Sequence, residues 1–230
     1  WWDRDGKFKT LHDINPLRLK FITKNIIDCF GPDCFTNDIK ILDIGCGGGL
    51  VSIPLAKMGA DVVAIDASSK NIEVAKQHVK DNGLQESLKN LEFRNEAIEE
   101  LTQSEKFDVI LALEVVEHVL DVKFFLHKLA SHLKENGILI VSTINRTLKA
   151  LALAKIGAEY ILRWLPAGTH SWNAFVKPSE LKGFLTSVDA NTKLKCIDSC
   201  GMKYNIFKRT WYLDEQDLDV NYLMCFKKSN

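Results

Sequence analysis

Ile41-Leu42-Asp43-Ile44-Gly45-Cys46-Gly47-Gly48-Gly49-Leu50 decides how the rest of the chain is read. Its first residues are apolar and rich in β-branching, as in a buried strand. They run directly into four glycines, a turn that Cβ atoms would obstruct. Glycine-rich strand-to-helix turns serve both nicotinamide dinucleotides and S-adenosylmethionine. The dinucleotide fingerprint G-x-G-x-x-G finds Leu50 at its third glycine when started at Gly45, and Ser52 when started at Gly47. D-x-G-x-G-x-G is met in full from Asp43 to Gly49. A carboxylate two residues ahead of the first glycine suits an ammonium group and repels a pyrophosphate. The stretch therefore points to S-adenosylmethionine, with Asp43, Gly45 and Gly47 as candidate contacts and a purely structural tight turn as the alternative.

Outward from the glycines the chain alternates. Leu50 to Met58 reads as a helix with Pro54 in its first turn, and Asp61 to Ile65 as a second strand ending in Asp66. An acid one strand-helix-strand unit after the glycines falls where the ribose hydroxyls of an adenosine would lie; the alternative is a carboxylate that caps the next helix. That helix, capped by Ser68 or Ser69, carries Ile72, Ala75 and Val79 and stops at Asn82-Gly83. Leu91 to Phe93, Phe107 to Leu113 and Ile138 to Ile144 read as further strands. Asn95 to Ile98 reads as a loop beside the adenine, and Asp121 to Asn136-Gly137 as a helix. Five alternations argue for a doubly wound parallel α/β sheet. From Cys196 onward, strand-like runs at Tyr204 to Phe207 and Tyr222 to Phe226 predict a closing antiparallel hairpin. Ahead of the glycines, Leu17, Phe21, Ile22 and Ile26 recur at helical spacing from Pro16 to about Cys29, after an aperiodic segment from Trp1 to Asn15.

At 230 residues, without repeat or linker, the chain fits a single domain spanning 1–230. Thirty basic and thirty acidic residues balance, which leaves no overall field to draw in nucleic acid. The six cysteines show no C-x-x-C pairing and read as reduced thiols of a cytoplasmic compartment, Cys46 being a small residue in a small space. No signal peptide and no uncharged apolar run of about 18 residues is visible. The chain opens on Trp1 without a methionine, as it would if an upstream segment with targeting information had been removed.

Two further constellations carry chemistry. In Glu114-Val115-Val116-Glu117-His118 a helical turn would bring both carboxylates and the imidazole together. The three would then suit magnesium, manganese or zinc, with His170 as a fourth ligand from a distant loop. The alternative is a pair of helix-start carboxylates beside a locally bonded histidine. His118 also qualifies as a general base, because an ordinary imidazole titrates near neutrality. Across 148–166, Lys155, Glu159 and Arg163 form a charged stripe opposite an apolar face that includes Trp164 and Leu165. This is the pattern of a core-packing or lid helix, or of one lying on a membrane surface.

These features resemble the ubiquinone-biosynthesis O-methyltransferase (UbiG) family over nearly the whole chain. The resemblance rests on Trp1-Trp2-Asp3 with Gly6-Lys7-Phe8-Lys9, on Leu11-His12-Asp13-Ile14-Asn15-Pro16-Leu17-Arg18-Leu19, on the glycine motif, on Glu117-His118-Val119, on Gly157-Ala158-Glu159-Tyr160-Ile161-Leu162-Arg163 and on Gly168-Thr169-His170. It implies a class I S-adenosylmethionine-dependent methyltransferase fold. The expected sheet is mostly parallel and seven-stranded, with a terminal antiparallel hairpin, an N-terminal cover over 1–30 and a helical lid or membrane-contact insertion over 146–180. The implied reaction methylates a phenolic hydroxyl of a polyprenylated catechol, on a peripheral site of the inner membrane (the matrix face in a mitochondrion) and in contact with a ubiquinone-biosynthesis complex. Positions matching the family's cofactor contacts are Arg18, Gly45, Asp66 and Leu113. Glu114, Glu117 and His118 resemble the cluster of metal-dependent relatives, and Glu117 and His118 are the expected catalytic pair. Leu120-Asp121-Val122 departs from the Asp-Pro that often follows His-Val in the family, so the loop beside the reacting centre is expected to differ in shape. Two other classes compete: a nicotinamide oxidoreductase that binds despite the missing third glycine, and a membrane-docked scaffold without catalysis.

Overall fold

The apolar runs become strands of one sheet because both of its faces are covered. In β4 (Phe107–Leu113), Val109 and Leu111 face one apolar cluster while Ile110 and Ala112 face the other, the two-residue period of a pleated strand. In β1 (Lys40–Ile44), Ile41 and the pair Leu42 and Ile44 divide in the same way. The computed structural model describes residues 1–6, 8–151, 175–186, 188 and 192–229. Its other strands are β2 (Asp61–Asp66), β3 (Leu91–Asn95), β5 (Leu133–Ile144), β6 (Lys193–Asn205), β7 (Thr210–Asp214) and β8 (Asn221–Ser229), in the spatial order β3-β2-β1-β4-β5-β8-β6-β7. β1 to β5 pair in parallel, and β5/β8, β8/β6 and β6/β7 are antiparallel. This is the class I methyltransferase fold. β7 adds an edge strand to the seven expected, and β8 enters between β5 and β6 rather than closing a simple hairpin.

Among the described residues, three helices cover one face: α1 (Lys9–Phe30), α2 (Ser52–Lys57) and α3 (Ser69–Asp81), through Ile22, Ile26, Leu55, Ile72 and Ala75. The other face is covered by α4 (Val122–Ser131) and α5 (Pro178–Thr186), through Phe125, Leu126, Leu129, Leu181 and Leu185. The chain leaves β1 toward β2 and β3, then returns to place β4 on the opposite side of β1. Such a reversal opens a crevice at the carboxyl ends of the two strands, where ligands of open α/β sheets bind. The glycine turn follows β1 there, and Glu114 follows β4.

Two boundaries depart from the sequence reading. α1 begins at Lys9, not Pro16, and carries the proline inside it. Proline forfeits one backbone bond, to the His12 carbonyl. Burial of Ile14 and the 2.7 Å bond from Asn15 Nδ2 to the Leu50 carbonyl hold the extra turns in place. α4 stops at Ser131, short of Asn136-Gly137, because Leu133 is buried and pairs with Phe107 in the sheet. Both expected caps are present: Asp121 accepts from Phe124 N at 2.9 Å, and Ser68 rather than Ser69 accepts from Asn71 N. The stripe of Lys155, Glu159 and Arg163 lies outside the described residues. Among the described residues no helix is long and apolar enough to cross a membrane.

Candidate active site

Gly45 and Gly47 take φ of 67° and 54°, left-handed backbone that most residues avoid, and the Gly45 and Cys46 amides both donate to the Ile65 carbonyl, at 2.9 and 3.1 Å. The space beside these glycines is taken up by the protein itself. A Cβ on Gly47 would sit 2.5 Å from the Trp1 ring, and one on Gly45 would sit 2.6 Å from Val115 Cγ2. Trp1 stacks on Phe8 with ring centroids 3.9 Å apart and donates Nε1 to Asn71 Oδ1 at 3.0 Å. Trp2 donates to the Gly48 carbonyl at 3.0 Å and stacks on His78. The aperiodic N-terminal segment is thus packed directly on the turn.

Two acids flank the turn from below. Asp43 is buried and accepts from Ser52 Oγ at 2.5 Å; burial pushes its pKa up to about 6, opposed by that hydrogen bond. Asp66, at the carboxyl end of β2, accepts from Gly47 N at 2.9 Å, Ser68 N at 2.8 Å and Asn71 Nδ2 at 3.2 Å. It ties the glycine turn to the start of α3, so the capping alternative describes part of what it does. Cys46 is buried with its thiol pKa pushed well above the ordinary value by burial, which makes it a filler rather than a nucleophile.

Across the crevice, Arg18 projects from the middle of α1. Its guanidinium is buried and lies 2.9 Å from Glu114 Oε1, yet Nε and Nη2 make no aligned hydrogen bond among the described residues. A cation held this way with unused donors fits a ligand carboxylate. Glu114 follows Leu113, the half-buried last residue of β4, and adopts φ of 56°, a strained conformation for a non-glycine residue. Its amide donates to the Ser142 carbonyl at 3.0 Å and its carboxylate accepts from Ser142 Oγ at 2.8 Å. Glu117 is buried and accepts from Thr143 Oγ1 at 2.8 Å. Burial, and next the Glu114 charge, raise its pKa to about 8. His118 ends a short 3₁₀ turn (Val116–His118) with its side chain exposed at the crevice edge.

The sequence thus located Arg18, Asp43, Gly45, Gly47, Asp66, Leu113, Glu114, Glu117 and His118 around one crevice. The structure as described does not bring Glu114, Glu117 and His118 together as a three-ligand group. Among the described residues no group of three or more His, Cys, Asp or Glu side chains is disposed to hold a cation. A tight 3₁₀ turn replaces the expected α-helical one, and Glu114 is committed to Arg18 and Ser142. Two carboxylates and an imidazole suit magnesium, manganese or zinc chemically; as described, Glu114 is paired with Arg18 and Ser142 instead. His170 lies outside the described residues. The sequence reading does not single out Ser52, Ser142 or Thr143. The hydroxyls had a readable signal, since Ser142-Thr143 interrupts the apolar run from Ile138 to Val141 at its carboxyl end.

A family model described as a methyltransferase domain matches residues 35–216. The ubiquinone biosynthesis O-methyltransferase of Pelagibacter ubique is 49% identical over 232 residues, covering 100% of this chain and 92% of the relative. That of Chelativorans sp. is 47% identical, covering 99% and 88%. Among solved structures, the magnesium protoporphyrin IX methyltransferase of Synechocystis with bound SAH superposes with a TM-score of 0.65 at 23% identity, covering 97% of this chain and 86% of that one. The plantazolicin methyltransferase BpumL in complex with SAH superposes with a TM-score of 0.64 at 18% identity, covering 99% and 87%.

Proposed function

The chain belongs to the ubiquinone biosynthesis O-methyltransferase family and is an S-adenosylmethionine-dependent O-methyltransferase; from that premise we propose that its acceptor is a ring hydroxyl of a polyprenylated catechol, deprotonated beside Glu117 and His118. The observation that supports the site assignment is the buried Arg18 guanidinium, set against Glu114 at the carboxyl end of β4 with donors that lack an aligned hydrogen bond.

S-adenosylmethionine, when bound, supplies an electrophilic methyl carbon with a thioether as its leaving group. Arg18 binds the carboxylate of the amino-acid end. Asp43 carries charge close enough to favour the ammonium, and Asp66 exchanges one of its present donors for the ribose hydroxyls. Gly45, Gly47 and the Leu113 backbone form the floor. Residues 1–30 act as the cover, with Trp1 on the turn, within one domain of 230 residues. His118 accepts the phenolic proton as the oxygen displaces the thioether. Glu117, held mainly protonated at neutral pH by burial and by Glu114, positions the acceptor by donating a hydrogen bond. Excluding water and aligning oxygen with carbon are the remaining tasks.

A membrane contact through 148–166 and association with other biosynthetic proteins complete the proposal. The supporting observation is the apolar, Trp-bearing composition of that stretch. Mass spectrometry of a polyprenyl catechol after incubation with protein and cofactor tests the acceptor. A singly methylated product is expected, and methylation of tailless amines or carboxylates with none of the catechol overturns the assignment. Loss of liposome sedimentation in Trp164→Glu is expected for the insertion; sedimentation equal to wild type removes that contact.

A further inference from the structure

We propose that Ser142 and Thr143, consecutive at the carboxyl end of β5, are positioning residues that divide two neighbouring acids between the two reactants. Ser142 holds Glu114 where it sets Arg18 for the cofactor carboxylate, and Thr143 holds the Glu117 carboxyl against the methyl acceptor. The inference rests on the reading that Arg18 meets the cofactor and Glu117 the acceptor.

The pleat of β5 makes the division, because successive side chains of a strand alternate between its faces. Ile138 and Ile140 enter the apolar cluster under α1, while Leu139 and Val141 enter the one under α4 and α5. Continuing the alternation puts Ser142 on the α1 side and Thr143 on the α4 side. The residues opposite them in β8 agree: Leu223, paired with Ser142, belongs to the first cluster, and Tyr222, paired with Thr143, to the second. Arg18 arrives from α1, and Glu117 follows Val116, which is buried in the second cluster. Each hydroxyl therefore lies on the side that its acid serves.

The bonds belong to the hydroxyls. Ser142 Oγ donates to Glu114 Oε1 at 2.8 Å and accepts from the Glu114 amide at 3.2 Å, and the Ser142 carbonyl accepts from the same amide at 3.0 Å. One residue thus pins both the left-handed backbone of Glu114 and the oxygen that lies 2.9 Å from Arg18. Thr143 Oγ1 donates to Glu117 Oε2 at 2.8 Å. Both residues are fully buried in a strand that Leu113 of β4 and Leu223 and Tyr222 of β8 hold from either side. Valine fills the volume of threonine, so packing alone does not call for a hydroxyl there; burying one costs desolvation that its carboxyl partner offsets. The two carboxyls lie close enough for the Glu114 charge to raise the Glu117 pKa. Separate anchors are what keep one acid on Arg18 and leave the other for the acceptor.

A crossed pattern of losses tests the proposal, read by isothermal titration with S-adenosylhomocysteine and by steady-state turnover of a tailless catechol at saturating cofactor. Ser142→Ala is expected to raise the S-adenosylhomocysteine Kd about tenfold, a larger factor than its loss in kcat. Ser142→Cys, similar in size with a weaker donor, carries the same expectation if the alanine form does not fold. Thr143→Val is expected to lower kcat at least about tenfold with that Kd within about threefold of wild type, and Thr143→Ser to recover kcat to within about threefold. In a Glu117→Ala background, Thr143→Val should lower kcat by less than about twofold further, because it acts through that carboxyl. Equal factors in both quantities for both positions, a Thr143→Ser protein as slow as the valine form, or full additivity in the Glu117→Ala background overturns the proposal. Wild-type kcat in Glu117→Ala breaks the assignment of Glu117 itself, and wild-type Kd in Arg18→Met that of Arg18. If those two variants lose as assigned and the crossed pattern is absent, only the role of the two hydroxyls falls.

Discussion

Replacing Arg18 by methionine keeps most of the stem volume and removes the charge. Two separate losses follow, and each has a size. In the free enzyme Glu114 loses its partner at 2.9 Å but keeps the Ser142 hydroxyl, so the cost is that of one charged contact, about 2 kcal/mol. For a chain of 230 residues this lowers the thermal midpoint by roughly 4–8 °C. On binding, Nε makes no hydrogen bond and Nη2 has only its Glu114 contact, so a ligand carboxylate gains up to two charge-assisted bonds. At about 1.5 kcal/mol each, the low end for such bonds, their loss weakens affinity by about 3 kcal/mol, or roughly 150-fold in Kd. Isothermal titration with S-adenosylhomocysteine reads the second loss and differential scanning calorimetry the first. Arg18→Lys should fall between the two, because a point charge cannot reproduce the planar fork. A methionine variant that melts lower as expected but binds within threefold of wild type would show that the guanidinium serves only Glu114, and the cofactor assignment of Arg18 would be wrong.

Glu117→Gln should change the pH dependence of stability. The folded state holds the Glu117 proton far more tightly than the unfolded chain does, so between about pH 4.5 and 8 the folded state binds more protons and wild-type stability falls as pH rises. The amide variant lacks that slope: its melting point should match wild type near pH 5 and exceed it by several degrees near pH 8, and parallel pH curves for the two proteins would refute the burial argument. For His118→Gln, kcat should drop about 10²- to 10⁴-fold with cofactor affinity within threefold of wild type, as steady-state kinetics and titration will show; an unchanged kcat excludes it as the base. Gly201→Ala should destabilise by about 2 kcal/mol, because a Cβ there runs into the Asp217 carbonyl that folds over β6; an unshifted melting point would mean the β7–β8 loop yields freely.

The glycine turn and the parallel strands were legible because they are encoded within a few residues of themselves, by φ-permissive glycines, two-residue alternation and side-chain caps. Arg18 entered by resemblance, although a local signal existed. It shares a helix face with Ile14 and Ile22, and a cation on an apolar stripe marks a buried partner. What could not be read locally depends on distant contacts. The early start of α1 rests on Asn15 reaching Leu50, and the early end of α4 on Leu133 pairing with Phe107. The sequence marks Gly45 and Gly47 as candidate ligand contacts, whereas Trp1 and Val115 occupy the space beside Gly47 and Gly45. The convergence of Glu114, Glu117 and His118 rests on α-helical geometry after β4, where the chain instead has a left-handed Glu114 followed by a 3₁₀ turn.

The placement of Trp1 and Trp2 makes the glycine turn optically visible. Indole emission follows the polarity and quenching around the ring, and both rings touch the turn or the helix that begins beside it. A molecule that settles against Gly47 has to displace or shield them, so its arrival can be timed by native fluorescence in a stopped-flow instrument without any attached dye. The same contact makes Trp1 a sensitive position: a substitution of its ring loosens the floor of the cofactor crevice before it disturbs a single strand of the sheet.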